Sequence, residues 1–231
     1  MSDTRIRPTP TARAGPGPAT ALAFLLVPVV TAVVAAVVVG GPAWGAAGLG
    51  ALGWLASMWL RIPVVLVARK LTGDKGRVAT AVSLASGPAE EIVRVVGVTL
   101  LVAALPRAVW FGLGWAAVEV VFAAANAVVV PILLRRGDEK SREIKEILES
   151  QGVLGAAPAY GVLERVSATA LHLGFTLLVF ANPWYAVATA VVHSAANLAI
   201  TVLVRRSVPR GELVFAGIAV IVLALAVQAA A

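Results

Sequence analysis

The chain has 231 residues, of which 60% are hydrophobic and 13% are charged, and its net charge is +7. A soluble domain is about half apolar and about a quarter charged, and a disordered chain is poor in apolar residues. These values, with a mean hydropathy of +0.92, predict an all-α fold, a polytopic helical bundle in a membrane. The chain contains no cysteine, which excludes disulfides, thiolate metal sites and a cysteine nucleophile.

Seven apolar stretches are long enough for membrane-spanning helices, which need about 20 residues. The predicted spans are residues 19–39, 44–67, 80–104, 108–134, 156–181, 183–204 and 211–231. Together they form one transmembrane domain, residues 19–231, after a proline- and glycine-rich tail, residues 1–18, for which we predict disorder. The first span is longer than the roughly 7–15 apolar residues of a signal peptide, so we interpret it as an anchor.

Basic residues fall mainly on one side of the predicted spans. Fifteen of the 19 Lys and Arg residues lie in the tail and in three connections that share one side, whereas Arg107 alone lies on the other side. The positive-inside rule then places the N-terminus in the cytoplasm and the C-terminus outside. The positive charge therefore indicates contact with anionic lipid at the cytoplasmic face, not with nucleic acid. We expect a multi-pass protein of a cell membrane such as the bacterial plasma membrane.

The longest predicted cytoplasmic loop comprises residues 135–151. Asp138 is placed to cap a short helix in this loop, and Ile144, Ile147 and Leu148 form an apolar stripe along it. We interpret the loop as a connector on the membrane surface. A regulatory or substrate-docking helix is the alternative.

Six acidic or histidine side chains lie inside the predicted spans, although a charge there costs about 2.5–3.5 kcal/mol on insertion scales. They are Glu90, Glu91, Glu119, Glu164, His172 and His193. Counted along the predicted helices, four of them, on four different spans, lie at similar depths in the bilayer. Mutual pairing around one polar cavity would reduce the cost of burial, so these residues predict a functional site.

Helical spacing aligns several of these groups. Arg94 follows Glu90 by four residues and Glu91 by three, so its guanidinium can pair with either carboxylate. His193 and Asn197, also four residues apart, share one helical face.

Two further arginines lie within spans. We interpret Arg165, next to Glu164, as part of an ion pair that holds helices together. Arg61, just before Pro63, is interpreted as a structural residue that snorkels or bonds carbonyl groups freed by the proline.

This set of side chains has the components for activating water. Glu90 or Glu91 would act as the general base. His172 and His193 would bind a metal that polarises the water, or would themselves hold the water and the oxyanion. Asn197 is a candidate oxyanion donor.

Other classes of intramembrane protease fit the sequence less well. The three aspartates all lie outside the spans, and the zinc signature H-E-x-x-H is absent. Ser86, in the segment Leu84-Ala85-Ser86-Gly87, lacks the first glycine of a Gly-x-Ser-Gly turn.

Four segments follow one another in a familiar order on successive spans. They are Glu90-Glu91-x-x-Arg94, then Gly112-x-Gly114 leading to Glu119, then Glu164-Arg165 leading to His172, then His193-x-x-x-Asn197. In this order they resemble the motifs of glutamate-type intramembrane peptidases of the CAAX-protease and bacteriocin-processing (CPBP) superfamily. The likeness is closest to the YhfC-like and PrsW-like branches, and it extends over about residues 55–204.

The resemblance implies an intramembrane peptidase that cleaves membrane-associated proteins or peptides on or near the cytoplasmic side. The catalytic residues that it implies are Glu90, Glu91, His172, His193 and Asn197. The supporting residues that it implies are Arg94, Glu119, Glu164 and Arg165. If a divalent metal such as zinc is bound, its ligands would be His172, His193 and Glu119.

Two features depart from the family pattern. Two residues separate Glu91 from Arg94, where CAAX-processing members usually have three, which argues against a prenyl-protein substrate. Trp115 stands where the YhfC-like pattern often has histidine, which weakens the case for a metal more than the case for a peptidase. Two alternatives stay open: a non-catalytic scaffold, sensor or immunity protein on the same fold, and a proton-coupled transporter.

Overall fold

The computed structural model describes residues 17–150 and 157–231, so nearly all of the predicted tail, residues 1–18, lies outside the described residues. Within those ranges the chain forms eight helices and no strand, which confirms the predicted helical bundle. The helices are α1 (Pro18–Val39), α2 (Trp44–Leu71), α3 (Lys75–Leu101), α4 (Leu105–Leu134), α5 (Glu139–Ser150), α6 (Pro158–Ala181), α7 (Tyr185–Arg206) and α8 (Val208–Ala230).

Seven of the described helices correspond to the seven predicted spans. Six of them, α1, α2, α4, α6, α7 and α8, are long and apolar enough to cross a membrane, so this is a multi-pass membrane protein. The remaining one, α3, has 27 residues, but Glu90, Glu91 and Arg94 at its centre make it less apolar. It also begins at Lys75, earlier than the predicted residue 80. The cytoplasmic position of the N-terminus stays a prediction from the basic residues.

Polar and apolar side chains are distributed as expected for a protein surrounded by hydrocarbon. On α1, Leu22 and Val37 are 63% and 81% exposed, whereas Arg94 and His193 are 0% and 3% exposed. In lipid the apolar groups lose nothing by facing outwards, while charged groups must find partners inside the bundle.

Glycines allow α2 and α4 to approach each other closely. A Cβ on Gly50 would lie 1.9 Å from the backbone oxygen of Phe111, and one on Gly114 would lie 1.9 Å from that of Ala47. Small residues at such crossings bring backbones into van der Waals contact, which drives helix association in membranes. The ring of Trp115, next to Gly114, is completely buried in this region.

A second close approach joins α3 to α7. A Cβ on Gly87 would lie 2.2 Å from a backbone oxygen of α7 and 2.3 Å from Oγ of Ser194. The Ser194 hydroxyl donates to the backbone oxygen of Leu84 at 2.7 Å. These contacts bring the next turn of α3, which carries Glu91, towards His193 of α7.

The loop of residues 135–151 contains α5, and Asp138 caps this helix as predicted. Its Oδ1 accepts a hydrogen bond from the backbone N–H of Ser141 at 2.8 Å. This bond and the nearby Ser141 hydroxyl hold the pKa of Asp138 below its ordinary value. The same hydroxyl lies 2.5 Å from the backbone oxygen of Leu133, which ties α5 to the end of α4.

We predict that Gly114→Ala lowers the free energy of unfolding by about 1–3 kcal/mol, because the new methyl group forces the α2 and α4 backbones apart. Gly48→Ala is the matched control, since a Cβ at Gly48 has no atom within 4 Å and alanine is the better helix former. Thermal unfolding in detergent micelles measures both variants. Equal effects of the two substitutions would contradict the close packing of α2 against α4.

Candidate active site

Four helices bring polar side chains to one level of the bundle. Glu90 lies 15 residues after the start of α3, and His172 lies 14 residues after the start of α6. Glu119 and His193 lie 15 and 13 residues before the ends of α4 and α7. At about 1.5 Å per residue, all four side chains are about 20 Å from helix ends on the same side, the predicted cytoplasmic side.

These four side chains line a cavity of about 390 Å³. Of the other predicted site residues, all except Glu91 and Arg94 also line this cavity. Its remaining polar lining consists of Arg61, Asn126, Glu164, Arg165 and Asn197. Glu91 and Arg94, which are not part of the lining, are 2% and 0% exposed. We call this space the site cavity.

Arg94 is fully buried and connects α3 to α4 and α6. Its Nε lies 3.0 and 3.2 Å from the two carboxylate oxygens of Glu91. Nη1 donates to Oγ1 of Thr176 at 2.8 Å, and Nη2 is 3.0 Å from Nδ1 of His172. The guanidinium carbon stacks 4.2 Å from the ring centre of Trp115. The planar group thus uses each of its nitrogens and one face, as a buried guanidinium must.

The neighbours of His172 determine its tautomer. A guanidinium can only donate, so Nδ1 of His172 accepts a hydrogen bond from Arg94, and Nε2 therefore carries the proton. Nε2 donates to Oε2 of Glu119 at 2.6 Å. Oε1 of Glu119 accepts from Arg165 at 2.9 Å, and Arg165 also forms an ion pair with Glu164. Both ring nitrogens of His172 consequently have partners.

Glu91 orients the ring of His193. Nδ1 of His193 lies 3.4 Å from Oε1 of Glu91, and Oε2 of Glu91 accepts the Thr189 hydroxyl at 2.9 Å. A carboxylate can only accept, so Nδ1 carries the proton. Nε2 lies 3.5 Å from Oε1 of Glu90 at the wall of the site cavity, and no hydrogen bond among the described residues fixes whether it carries a proton.

Glu90 is held by side chains from two other helices. Arg61 forms an ion pair with its Oε1, and the indole N–H of Trp115 donates to its Oε2 at 3.2 Å. The interpretation of Arg61 as a snorkelling or carbonyl-binding residue beside Pro63 is therefore wrong: its side chain points into the bundle. Trp115 stands where the YhfC-like pattern often has histidine. Its indole supplies a hydrogen-bond donor but no atom that could bind a metal.

Asn197 lines the site cavity one turn from His193, as its spacing predicts. Its Nδ2 donates to Oγ of Ser86 at 2.6 Å, which leaves a second N–H on the same amide for a ligand. The hydroxyl of Ser86 donates to the backbone oxygen of Ser83 at 2.7 Å. Ser86 thus positions Asn197 and has no histidine as its base.

Glu90, His172 and His193 could hold a metal ion. Each offers one ligand atom, and these atoms lie within 4.8 Å of one another. The ligand set predicted from the sequence had Glu119 where the structure has Glu90. Glu119 instead bonds Nε2 of His172. By type and spacing the three groups fit an ion that takes nitrogen and oxygen ligands, although two guanidinium groups contact the same atoms and an ion would displace them.

No family model, curated protein or solved structure compared with this chain matches it. The interpretation of the site therefore depends on its own geometry.

We predict that Arg94→Met alone lowers the free energy of unfolding by about 3–5 kcal/mol, because it leaves the carboxylate of Glu91 buried without its cation. The double variant Arg94→Met/Glu91→Met should lose clearly less than the sum of the two single variants, since it removes both charges. Denaturant unfolding in detergent micelles measures the cycle. Additive losses would mean that the two side chains do not interact.

Proposed function

We propose that this protein is an intramembrane peptidase that hydrolyses peptide bonds of membrane-associated proteins or peptides. The observation that carries the proposal is the pair formed by Glu90 and Nε2 of His193, which come from different helices and lie 3.5 Å apart at the site cavity. Glu91 orients the imidazole ring of His193 through Nδ1, the nitrogen opposite Nε2, which is how a histidine base is usually positioned. The likeness to the CPBP superfamily supports the same reaction by analogy.

The residues suggest the following order of events. Glu90 and His193 bind a water molecule on the cavity side of the pair, and Nε2 of His193 takes a proton from it as the oxygen adds to the substrate carbonyl carbon. The free N–H of Asn197 and the guanidinium of Arg61 lie on the cavity wall and stabilise the negative charge on the carbonyl oxygen. The proton passes from His193 to the amide nitrogen as the C–N bond breaks, which releases an amine and a carboxylic acid.

A divalent metal such as zinc belongs to the proposal as an optional component. Glu90, His172 and His193 would hold it, and it would polarise the bound water and the substrate carbonyl. Metal analysis of the purified protein and of the His172→Ala variant measures whether these residues bind an ion. A stoichiometric metal that is lost in the variant would support the metal form of the site.

The surroundings of the substrate follow from the predicted orientation. The site lies about 20 Å from helix ends that are predicted to be cytoplasmic, and anionic lipid is proposed to contact the basic residues there. We propose residence in a cell membrane and, by analogy with the superfamily that the motifs resemble, substrates whose cleaved segment enters from the cytoplasmic side.

We predict that Glu90→Gln and His193→Ala each reduce cleavage by about 100-fold or more, the contribution typical of a general base and its partner. N-terminal peptide profiling of membranes from cells that express each form at matched levels measures the products. Glu139→Gln makes the same chemical change on the exposed surface of α5 and should leave the profile of the wild type unchanged.

The same experiment tests the non-catalytic alternative. If the folded double variant Glu90→Gln/His193→Ala gives the same new N-termini as the wild type, the peptidase proposal is wrong. If no form of the protein produces new N-termini, a scaffold or sensor becomes the better interpretation.

A further inference from the structure

A second cavity, of about 230 Å³, adjoins the site cavity on the predicted cytoplasmic side. Its polar lining consists of Ser83 of α3, Glu164 of α6, Thr201 of α7 and Glu212 of α8. We call it the entrance chamber. Glu164 and Ile200 line both spaces, so a group bound in the chamber lies next to the site.

Glu212 is a buried acidic residue of this chamber that has no role in the proposed reaction. Its side chain is 4% exposed, and in the described part of the chain its buried Oε2 has no hydrogen-bond partner. Burial of a carboxylate without a partner costs free energy that an apolar residue would not cost. A residue of this kind is expected where a ligand supplies the missing partner.

Of the described residues, two carboxylic acids and no basic side chain line the chamber. One of them, Glu164, pairs with Arg165, whose guanidinium also pairs with Glu119, and the other is Glu212. Thr201 donates its hydroxyl proton to the backbone oxygen of Asn197 at 2.7 Å, so its oxygen offers only lone pairs to the chamber. The wall therefore presents hydrogen-bond acceptors, which suit a cation that carries several N–H donors.

We propose that the entrance chamber binds a cationic organic group, the ammonium or guanidinium end of a substrate side chain. The chamber volume of about 230 Å³ is large enough for such a group. Lysine and arginine are concentrated at the cytoplasmic ends of membrane spans, and the chamber lies between the site cavity and these ends on the predicted orientation. Where it concerns peptide substrates, this inference rests on the proposed function. The peptidase would then prefer substrates with a basic residue near the cleaved bond.

A binding experiment tests the chamber without any cleavage. Thermal unfolding of the full-length protein in detergent is measured with n-butylammonium chloride, with neutral n-butanol, and with sodium chloride at equal ionic strength. We expect butylammonium alone to raise the Tm of the wild type saturably, and the apparent Kd to rise at least tenfold in Glu212→Gln. Glu139→Gln should keep the wild-type Kd.

Several results would overturn the proposal. They are the absence of a shift in the wild type, an equal shift with sodium chloride or butanol, and an unchanged Kd in Glu212→Gln. Without butylammonium, Glu212→Gln should unfold at the same or a higher temperature, because it removes a buried carboxyl group whose Oε2 has no partner. If that variant does not fold, Thr201→Val, which removes a neutral acceptor, tests the same prediction of weaker binding.

A cleavage experiment then separates the chamber from the reaction. The N-termini produced by the wild type should show an excess of lysine or arginine at one fixed position, and this excess should fall in Glu212→Gln. Cleavage without any such preference would overturn the chamber proposal and leave the peptidase proposal intact. Butylammonium binding that depends on Glu212, in a protein that cleaves nothing, would support the chamber and contradict the peptidase.

Discussion

The centre of the bundle depends on the buried guanidinium of Arg94. An ion in this position costs several kcal/mol unless its donors are all used, and Arg94 uses them on Glu91, Thr176 and His172. Because the group is planar and can only donate, it also fixes chemistry. It makes Nδ1 of His172 an acceptor, and it holds the carboxylate that orients His193. One side chain therefore helps to orient both imidazoles.

The surrounding helices make this network possible by coming unusually close together. Gly50 and Gly114 allow α2 to meet α4, and Gly87 allows α3 to meet α7. In lipid no water competes for the polar groups that these contacts enclose, so the pairs formed inside the bundle determine where each charge lies. In the site cavity and in the entrance chamber, carboxylates on different helices face open space. The site cavity lies near the middle of the helices, and the chamber lies between it and the helix ends predicted to be cytoplasmic.

The sequence predicts the parts of this structure that depend on local spacing or on polarity. Apolar length reveals the helices, and the three-residue spacing reveals the Glu91–Arg94 pair. The sequence does not reveal the ion pair of Arg61 with Glu90, because the partners are 29 residues apart and only the packing of α2 against α3 brings them together. Glu212 was also missed as a buried acid: it lies at the edge of the last span, where a charge normally reaches the lipid–water interface.

The proposed reaction requires that the two imidazoles are held in opposite tautomers, with Nε2 of His193 unprotonated at the site cavity. The chain contains only two histidines, so nitrogen NMR of protein labelled in histidine reports on these rings alone, and His172→Ala assigns the signals of His193. We predict a proton on Nδ1 and none on Nε2 for His193 near neutral pH, and the reverse for His172. A doubly protonated His193, or the same tautomer in both rings, would contradict the proposed general base.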